Sequence, residues 1–249
     1  MSTQEAILLS LVEDSGFVVF GFIDLVKISN WPRTRIHNTL ASLIRKGVLT
    51  RIKRGNYALT KDLNAKTLEI ATELVKPSYI SFWTALSHYG FTEQQVMNVQ
   101  VVSPKQSRPI AIGDTQVEVV AFRPYRFFGY QKMDGFVIAE PEKALIDSLF
   151  RMDLSGGLDE FARCLINAWP SLDHEKLVDY AVRFKNRSLV SRLGYLIERL
   201  GLGDRASDLL HSARSLSYVP LDPSRNRTAL RDGRWRVSEN HAPTMKVIR

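Results

Sequence analysis

Thr34, Arg35, Asn38 and Ser42 fall on one side of a predicted helix when residues are placed at steps of about 100°, opposite Ile36, Leu40, Leu43 and Ile44. These residue types read base edges. Arginine forks onto guanine, asparagine onto adenine, and serine or threonine onto either. Arg45 lies on the same side, with Lys27 upstream and Arg51, Lys53 and Arg54 downstream. From Lys27 to Lys61 there are nine basic residues and no acidic one. A solvated surface normally mixes signs, so this stretch reads as a footprint for a polyanion. Thr34, Arg35, Asn38 and Ser42 are expected to meet bases, and Lys27, Arg45, Arg51, Lys53 and Arg54 mainly phosphates. The chemistry expected is recognition of double-stranded DNA.

Plainer roles stand beside these. Arg45 and Lys46 also suit a helix C-terminus, where cations complement the dipole. Arg33 projects toward the apolar side, toward Asp24 or a backbone phosphate. Trp31 reads as a core plug and His37 as a boundary residue.

The positioning elements follow from local signals. Ser2 with Glu5 three residues on is a capping-box pattern, and Ile7, Leu8, Leu11 and Val12 stripe a helix from about Thr3 to Glu13. Phe17 to Phe20 is a short extended bridge. A second helix runs from about Gly21 to Ile28. Pro32 suits the start of a third, which runs to about Lys46 and stops at Gly47. Two strands follow, Val48 to Ile52 and Asn56 to Leu59, joined by the Lys53-Arg54-Gly55 turn. Three helices and a basic hairpin make a winged helix-turn-helix. In that motif the N-terminal half of the third helix enters the major groove.

The fold class expected is α+β: a winged helix-turn-helix over 1–62, a connecting helix over 63–76, and a larger domain over 77–249. The Lys76-Pro77 step marks the boundary. In the larger domain, beta-type sequence at 96–103, 115–122 and 136–139 suggests a small sheet. Helices are expected near 81–89, 140–150, 157–168, 174–184, 188–200 and 205–212, forming a helical layer. The net charge of +8 sits at the ends. Residues 1–60 carry eight Lys or Arg against four Asp or Glu, residues 61–219 nineteen of each, and 220–249 seven against three. The tail arginines at 225, 227, 231, 234 and 236 extend the DNA track or fold back on the second domain; Trp235 favours the latter.

Several classes are disfavoured. The longest apolar run, Phe17 to Ile23, is seven residues, far below the roughly 20 that a membrane span needs. The N-terminus has no basic n-region, so a cytoplasmic, membrane-free protein is expected. Cys164 stands alone, in an apolar helical stripe, and reads as core. The five histidines show no metal-ligand spacing, and no phosphate-binding, dinucleotide or serine-nucleophile motif occurs. No catalytic residue, metal or cofactor is expected. The best enzyme case is a metal-dependent nuclease on Asp114 and Glu118, but Val120 stands where that motif wants lysine. A protein-interaction module is the third reading.

The chain resembles the AbiEi family of antitoxin-type transcriptional regulators. Four ordered pieces carry the likeness: Leu43 to Leu59; Tyr79 to Glu93, YISFWTALSHYGFTE; Phe128-Gly129 with Val137 to Asp147, VIAEPEKALID; and Val219 to Pro223 with Trp235 to Val237. The resemblance implies a winged helix that binds inverted repeats in its own promoter and represses the operon. It maps the DNA-contacting helix and wing onto Thr34 to Lys46 and Arg51 to Arg54. It also implies a C-terminal domain that counteracts a nucleotidyltransferase-like toxin of a type IV toxin–antitoxin, phage-defence system without a tight complex. One winged helix reads few base pairs, so self-association on DNA is expected.

Overall fold

The computed structural model describes residues 1–94, 96–226 and 229–241. Arg227 of the basic tail and residues 242–249 lie outside them. The fold is α+β with small sheets. By internal contacts the chain divides into two units, one of Met1–Tyr79, Met97–Ala121 and Lys132–Val137, the other of Ile80–Val96, Phe122–Gln131 and Ile138–Arg249. Among the described residues no helix is long and apolar enough to cross a membrane.

The first unit opens with α1 (Thr3–Ser15), α2 (Phe22–Ser29) and α3 (Arg33–Arg45). The capping box forms. Glu5 N donates to Ser2 Oγ at 3.3 Å while Ser2 N donates to Glu5 Oε2 at 2.6 Å. Asn30, at φ 55°, ends α2 in the left-handed region, and Pro32 sits one position before the first turn of α3. Strands β1 (Leu49–Lys53) and β2 (Asn56–Leu59) pair antiparallel in register Leu49 with Leu59. Gly55 turns between them at φ 80°, a conformation open to glycine at little cost. Phe20 exchanges backbone hydrogen bonds of 3.0 and 2.9 Å with Tyr57, adding a third extended segment to the wing. Leu8, Val12, Phe20, Leu25, Ile36, Leu40, Leu43, Leu49 and Leu59 close one core beneath the three helices and the wing.

The single helix expected over 63–76 is two helices, α4 (Asp62–Ala65) and α5 (Thr67–Leu74), broken at Lys66 with φ −120°. Helix α5 packs on two strands of its own unit, so it is part of that core as well as a connection. Strand β3 is Tyr79–Ile80 and helix α6 Phe82–His88. Strands β4 (Val99–Ser103), β5 (Ile110–Ile112) and β6 (Thr115–Ala121) follow. β4 and β6 run parallel, Val101 beside Val119, and β5 returns antiparallel along β6 through the Gly113-Asp114 turn.

Strands β7 (Tyr130–Met133) and β8 (Phe136–Ala139) come next, and in the second unit Ile138 pairs parallel with Ile80. That unit is otherwise mostly helical: α7 (Pro141–Phe150), α8 (Gly157–Ala168), α9 (His174–Arg183), α10 (Arg187–Arg199) and α11 (Asp204–His211). Phe122, Phe150 and Phe184 meet edge to face at centroid separations of 5.1–5.8 Å. A small sheet of β9 (Val219–Pro220), β10 (Arg231–Asp232) and β11 (Val237–Ser238) closes the chain, with β11 between the other two. Trp235 between these strands is fully buried, and its Nε1 donates to Glu198 on α10 at 2.7 Å. The described tail therefore folds back on the second unit. Arg225 pairs with Asp222, and Arg234 with Glu198 and Asp208, while Arg231 and Arg236 lie over the Tyr218 ring.

Candidate nucleic-acid interface

On α3 the buried positions are Ile36, Thr39, Leu40 and Leu43. The exposed positions are Arg33, Thr34, His37, Asn38, Ala41 and Arg45. Thr34, Asn38, Ala41 and Arg45 recur at the spacing of one helix face. Thr34 and Asn38 share a shallow hollow with Phe22, Arg33 and His37. His37 and Ala41 thus belong to the outward stripe and were not singled out as readers from sequence; their spacing from Thr34 was the available signal. Arg33 is exposed and does not pair with Asp24, whose carboxylate instead accepts from Gly21 N at 2.8 Å.

Arg35 is half-buried. Its guanidinium carbon lies 3.8 Å from the Trp31 ring centroid, a cation–π contact. Its Nε is buried without a hydrogen-bond partner. The indole thus holds the guanidinium plane fixed, and the group carries an unmet donor. Trp31 itself packs against the helical core, so it acts both as plug and as platform.

Ser42 departs from the expected set. Its hydroxyl donates to Glu5 Oε1 at 2.7 Å, and Lys46 Nζ reaches both Glu5 oxygens at 2.7–2.8 Å. Glu5 is buried. The Lys46 ammonium first, then the Ser2 backbone N–H and the Ser42 hydroxyl, hold its carboxyl at about 2. Ser42 therefore faces α1 and fastens α3 to it, away from the outward stripe. The helical wheel places it on the outward side with Thr34 and Asn38, and a partner 37 residues away decides its side instead.

Arg51, Lys53 and Arg54 are all exposed on the wing, as is Lys27 on α2. Lys53 Nζ donates to the Leu74 carbonyl at 2.6 Å, at the end of α5, where the helix dipole also favours a cation. Lys27, Arg45, Arg51 and Arg54 form no ion pair among the described residues, in contrast to Lys46 and Lys61, which pair with Glu5 and Glu13.

The acids of the nuclease reading are Asp114, exposed in the β5–β6 turn, and Glu118, half-buried on β6. Among the described residues no three His, Cys, Asp or Glu gather as a metal site. Cys164 is buried, and burial pushes its thiol up to about 12.

The other ordered pieces meet in the second unit. Ser81 Oγ donates to Asp147 Oδ2 at 2.8 Å, Tyr89 Oη to the Ala139 carbonyl at 2.8 Å, and Glu140 N to the Gly129 carbonyl at 2.9 Å. Asp147 also pairs with Lys143, both fully buried. Residues 79–199 match the family described as the AbiEi antitoxin C-terminal domain. The matched segment begins at β3 and ends with α10, so the helix-turn-helix and the tail lie beyond it. The fold is also similar to the crystal structure of the RV2827C protein from Mycobacterium tuberculosis, with a TM-score of 0.67 at 14% identity over 95% of this chain and 91% of that one. No curated protein sequence matches the chain.

Proposed function

We propose that this protein is a sequence-specific, double-stranded-DNA-binding transcriptional regulator, an autorepressor and the antitoxin of a type IV toxin–antitoxin system in phage defence. The observation that carries the DNA reading is the outward face of α3 beside the wing: Thr34, Arg35 and Asn38 offer base-reading groups, and Lys27, Arg45, Arg51 and Arg54 offer cations without carboxylate partners. In this reading α3 enters the major groove with Thr34, Arg35, His37, Asn38 and Ala41 toward base edges. Ala41 supplies an apolar contact of the kind that suits a thymine methyl. The wing and Lys27 grip phosphates and fix the register. Two copies on an inverted repeat supply the specificity that one head lacks.

The antitoxin half rests on the match of residues 79–199 to the AbiEi antitoxin C-terminal domain. It would counteract a nucleotidyltransferase-like toxin without a tight complex and without catalysis of its own, in the cytoplasm where its DNA lies. Growth rescue by co-expression with the product of a neighbouring reading frame tests that half; no rescue from any neighbouring frame's toxicity removes it.

The DNA half is tested by fluorescence anisotropy on a labelled duplex of the upstream region against random duplex, across a salt series. The expected result is a preference of at least about a thousandfold, with log affinity falling linearly in log salt. Equal weak binding to both duplexes would reduce the claim to a basic surface. No binding at moderate salt would overturn it in favour of a protein-interaction module.

A further inference from the structure

Among the described residues the second unit holds another set of cations without carboxylate partners. No Asp or Glu lies between Glu118 and Asp134, or between Asp179 and Glu198. Within the second unit these two acid-free stretches meet. The Arg126 guanidinium lies 4.6 Å from the Phe150 and Phe184 ring centroids, and its Nε donates to the Phe184 carbonyl at 3.1 Å. Lys185 Nζ lies 5.8 Å from the Tyr125 ring, and Arg183 lies 4.1 Å from Phe128. Arg123, Arg183, Lys185 and Arg187 are exposed and form no ion pair among the described residues. Elsewhere in the same unit Arg151, Arg163, Arg205, Arg225 and Arg234 all have carboxylate partners. Glu140 is taken by Lys176 and Tyr180.

Tyr125 stands among these cations, and Tyr130 is a second exposed ring of the same stretch. Tyr125 and Tyr130 are each 41% exposed. Phe127 backs Tyr130 at a centroid distance of 5.0 Å, and Arg126 lies 5.3 Å from the Tyr125 ring. Next to Lys185 a depression has a floor of Val182, Val190 and Ala213 and a rim of Lys185, Asn186 and Arg187. Cations that track a backbone, with flat rings and an apolar hollow between them, suit unpaired bases and their phosphates. A duplex keeps its base faces stacked and offers nothing to such rings.

We propose that this face of the second unit, centred on Tyr125, Tyr130 and Lys185, binds single-stranded nucleic acid without sequence preference. Bases stack on the two tyrosines, and phosphates run along Arg123, Arg183, Lys185 and Arg187. The site lies on residues separate from α3 and the wing and does not rest on the duplex-binding reading.

The test uses the full chain and labelled oligo(U) and oligo(dT) strands of about twelve nucleotides, within the size range of single-strand sites, followed by anisotropy in about 0.1 M salt. Either strand binding supports the site, and the two arms tell RNA from DNA as the source. Tyr125→Ala and Tyr130→Ala should each weaken binding roughly fivefold or more. Tyr125→Phe should restore it, which separates stacking from loss of fold; thermal melts of each variant check the fold independently. Lys185→Glu should weaken binding and flatten its salt dependence, whereas Arg54→Ala should change neither. No single-strand binding would overturn the proposal. So would loss on Arg54→Ala with none on Tyr125→Ala, which would move the strand to the wing. Displacement by poly-glutamate with no effect of the tyrosine variants would overturn it in favour of an acidic protein partner.

Discussion

Arg35 lies on the face of Trp31, its guanidinium carbon 3.8 Å from the ring centroid. The stack fixes the plane of the fork before any ligand arrives, so little side-chain freedom would be left to lose on binding a guanine as proposed. Arg35→Ala and Asn38→Ala should each cost about 1–3 kcal/mol on the upstream duplex and little on random duplex. Trp31→Ala should cost Arg35 its platform, about 0.5–1 kcal/mol beyond any loss of stability. Titrations of the three variants on both duplexes measure this, and equal losses on both would contradict it.

The wing should register in salt rather than in sequence. Arg51→Ala and Arg54→Ala should each lower the slope of log affinity against log salt by about 0.9, the value for one phosphate. Lys53→Ala should change the slope less and the melting temperature more, because its ammonium already sits on the Leu74 carbonyl. The reverse ranking of Lys53 and Arg54 would reject that assignment.

Glu5 makes the first unit sensitive to acid. Its carboxyl lies at about 2 against an ordinary 4.5. The folded value is the lower one, so the contribution is complete above about pH 4.5 and fades as pH falls toward 2. Glu5→Gln should flatten the stability profile in that window while also loosening α3 from α1. Chemical denaturation at pH 6, 4 and 3 (about the span that linkage requires) reads it; parallel profiles for the two proteins would refute the link.

Lys143 and Asp147 are both fully buried and paired, with Ser81 also bonded to Asp147. Burial pushes the Lys143 ammonium below its ordinary range even with Asp147 beside it. Lys143→Met alone strands a carboxylate and should cost about 3–5 kcal/mol. The double change with Asp147→Leu should cost less than the two single changes summed. Thermal or denaturant melts of the three proteins decide it, and simple additivity would show that the pair is not coupled.

Gly194 inverts the usual helix rule. Alanine in place of a mid-helix glycine ordinarily stabilises by about 0.5–1 kcal/mol. Here a Cβ would lie 2.1 Å from the Trp235 ring, which is wholly buried and has no room to move aside. Gly194→Ala should therefore destabilise, by about 1–3 kcal/mol or more, and Trp235→Ala by about 3–5 kcal/mol. Melting curves check both, and a stabilised Gly194→Ala protein would mean the tail does not pack as described.

The elements built from local signals were readable in the sequence. Pro32 and Gly47 bracket α3, and the Lys53-Arg54-Gly55 turn fixes the hairpin. What escaped depends on distant partners or on weak patterns. Ser42 turns inward because Glu5 on another helix accepts a hydrogen bond from its hydroxyl. The break at Lys66 carries no proline or glycine, and β7 is an exposed Tyr-Gln-Lys-Met run with no alternation to betray a strand. The basic footprint was visible as charge, but which cations are free and which are held at a carbonyl or a carboxylate is a tertiary fact. The second set, around Tyr125, was hidden because its two acid-free stretches are far apart in sequence.

The last buried ring of the second unit, Trp235, is made long after the first core is complete at Leu59. Domains generally fold as units in the order of their synthesis. On a translating ribosome the helix-turn-helix would therefore take shape while α10 still lacks its indole cover. Chains ending near residue 230 and the full chain, each held on the ribosome by a linker that clears the exit tunnel, should show equal protease resistance in residues 8–59. Only the longer chain should protect α10, and protection of α10 without Trp235 would refute this order.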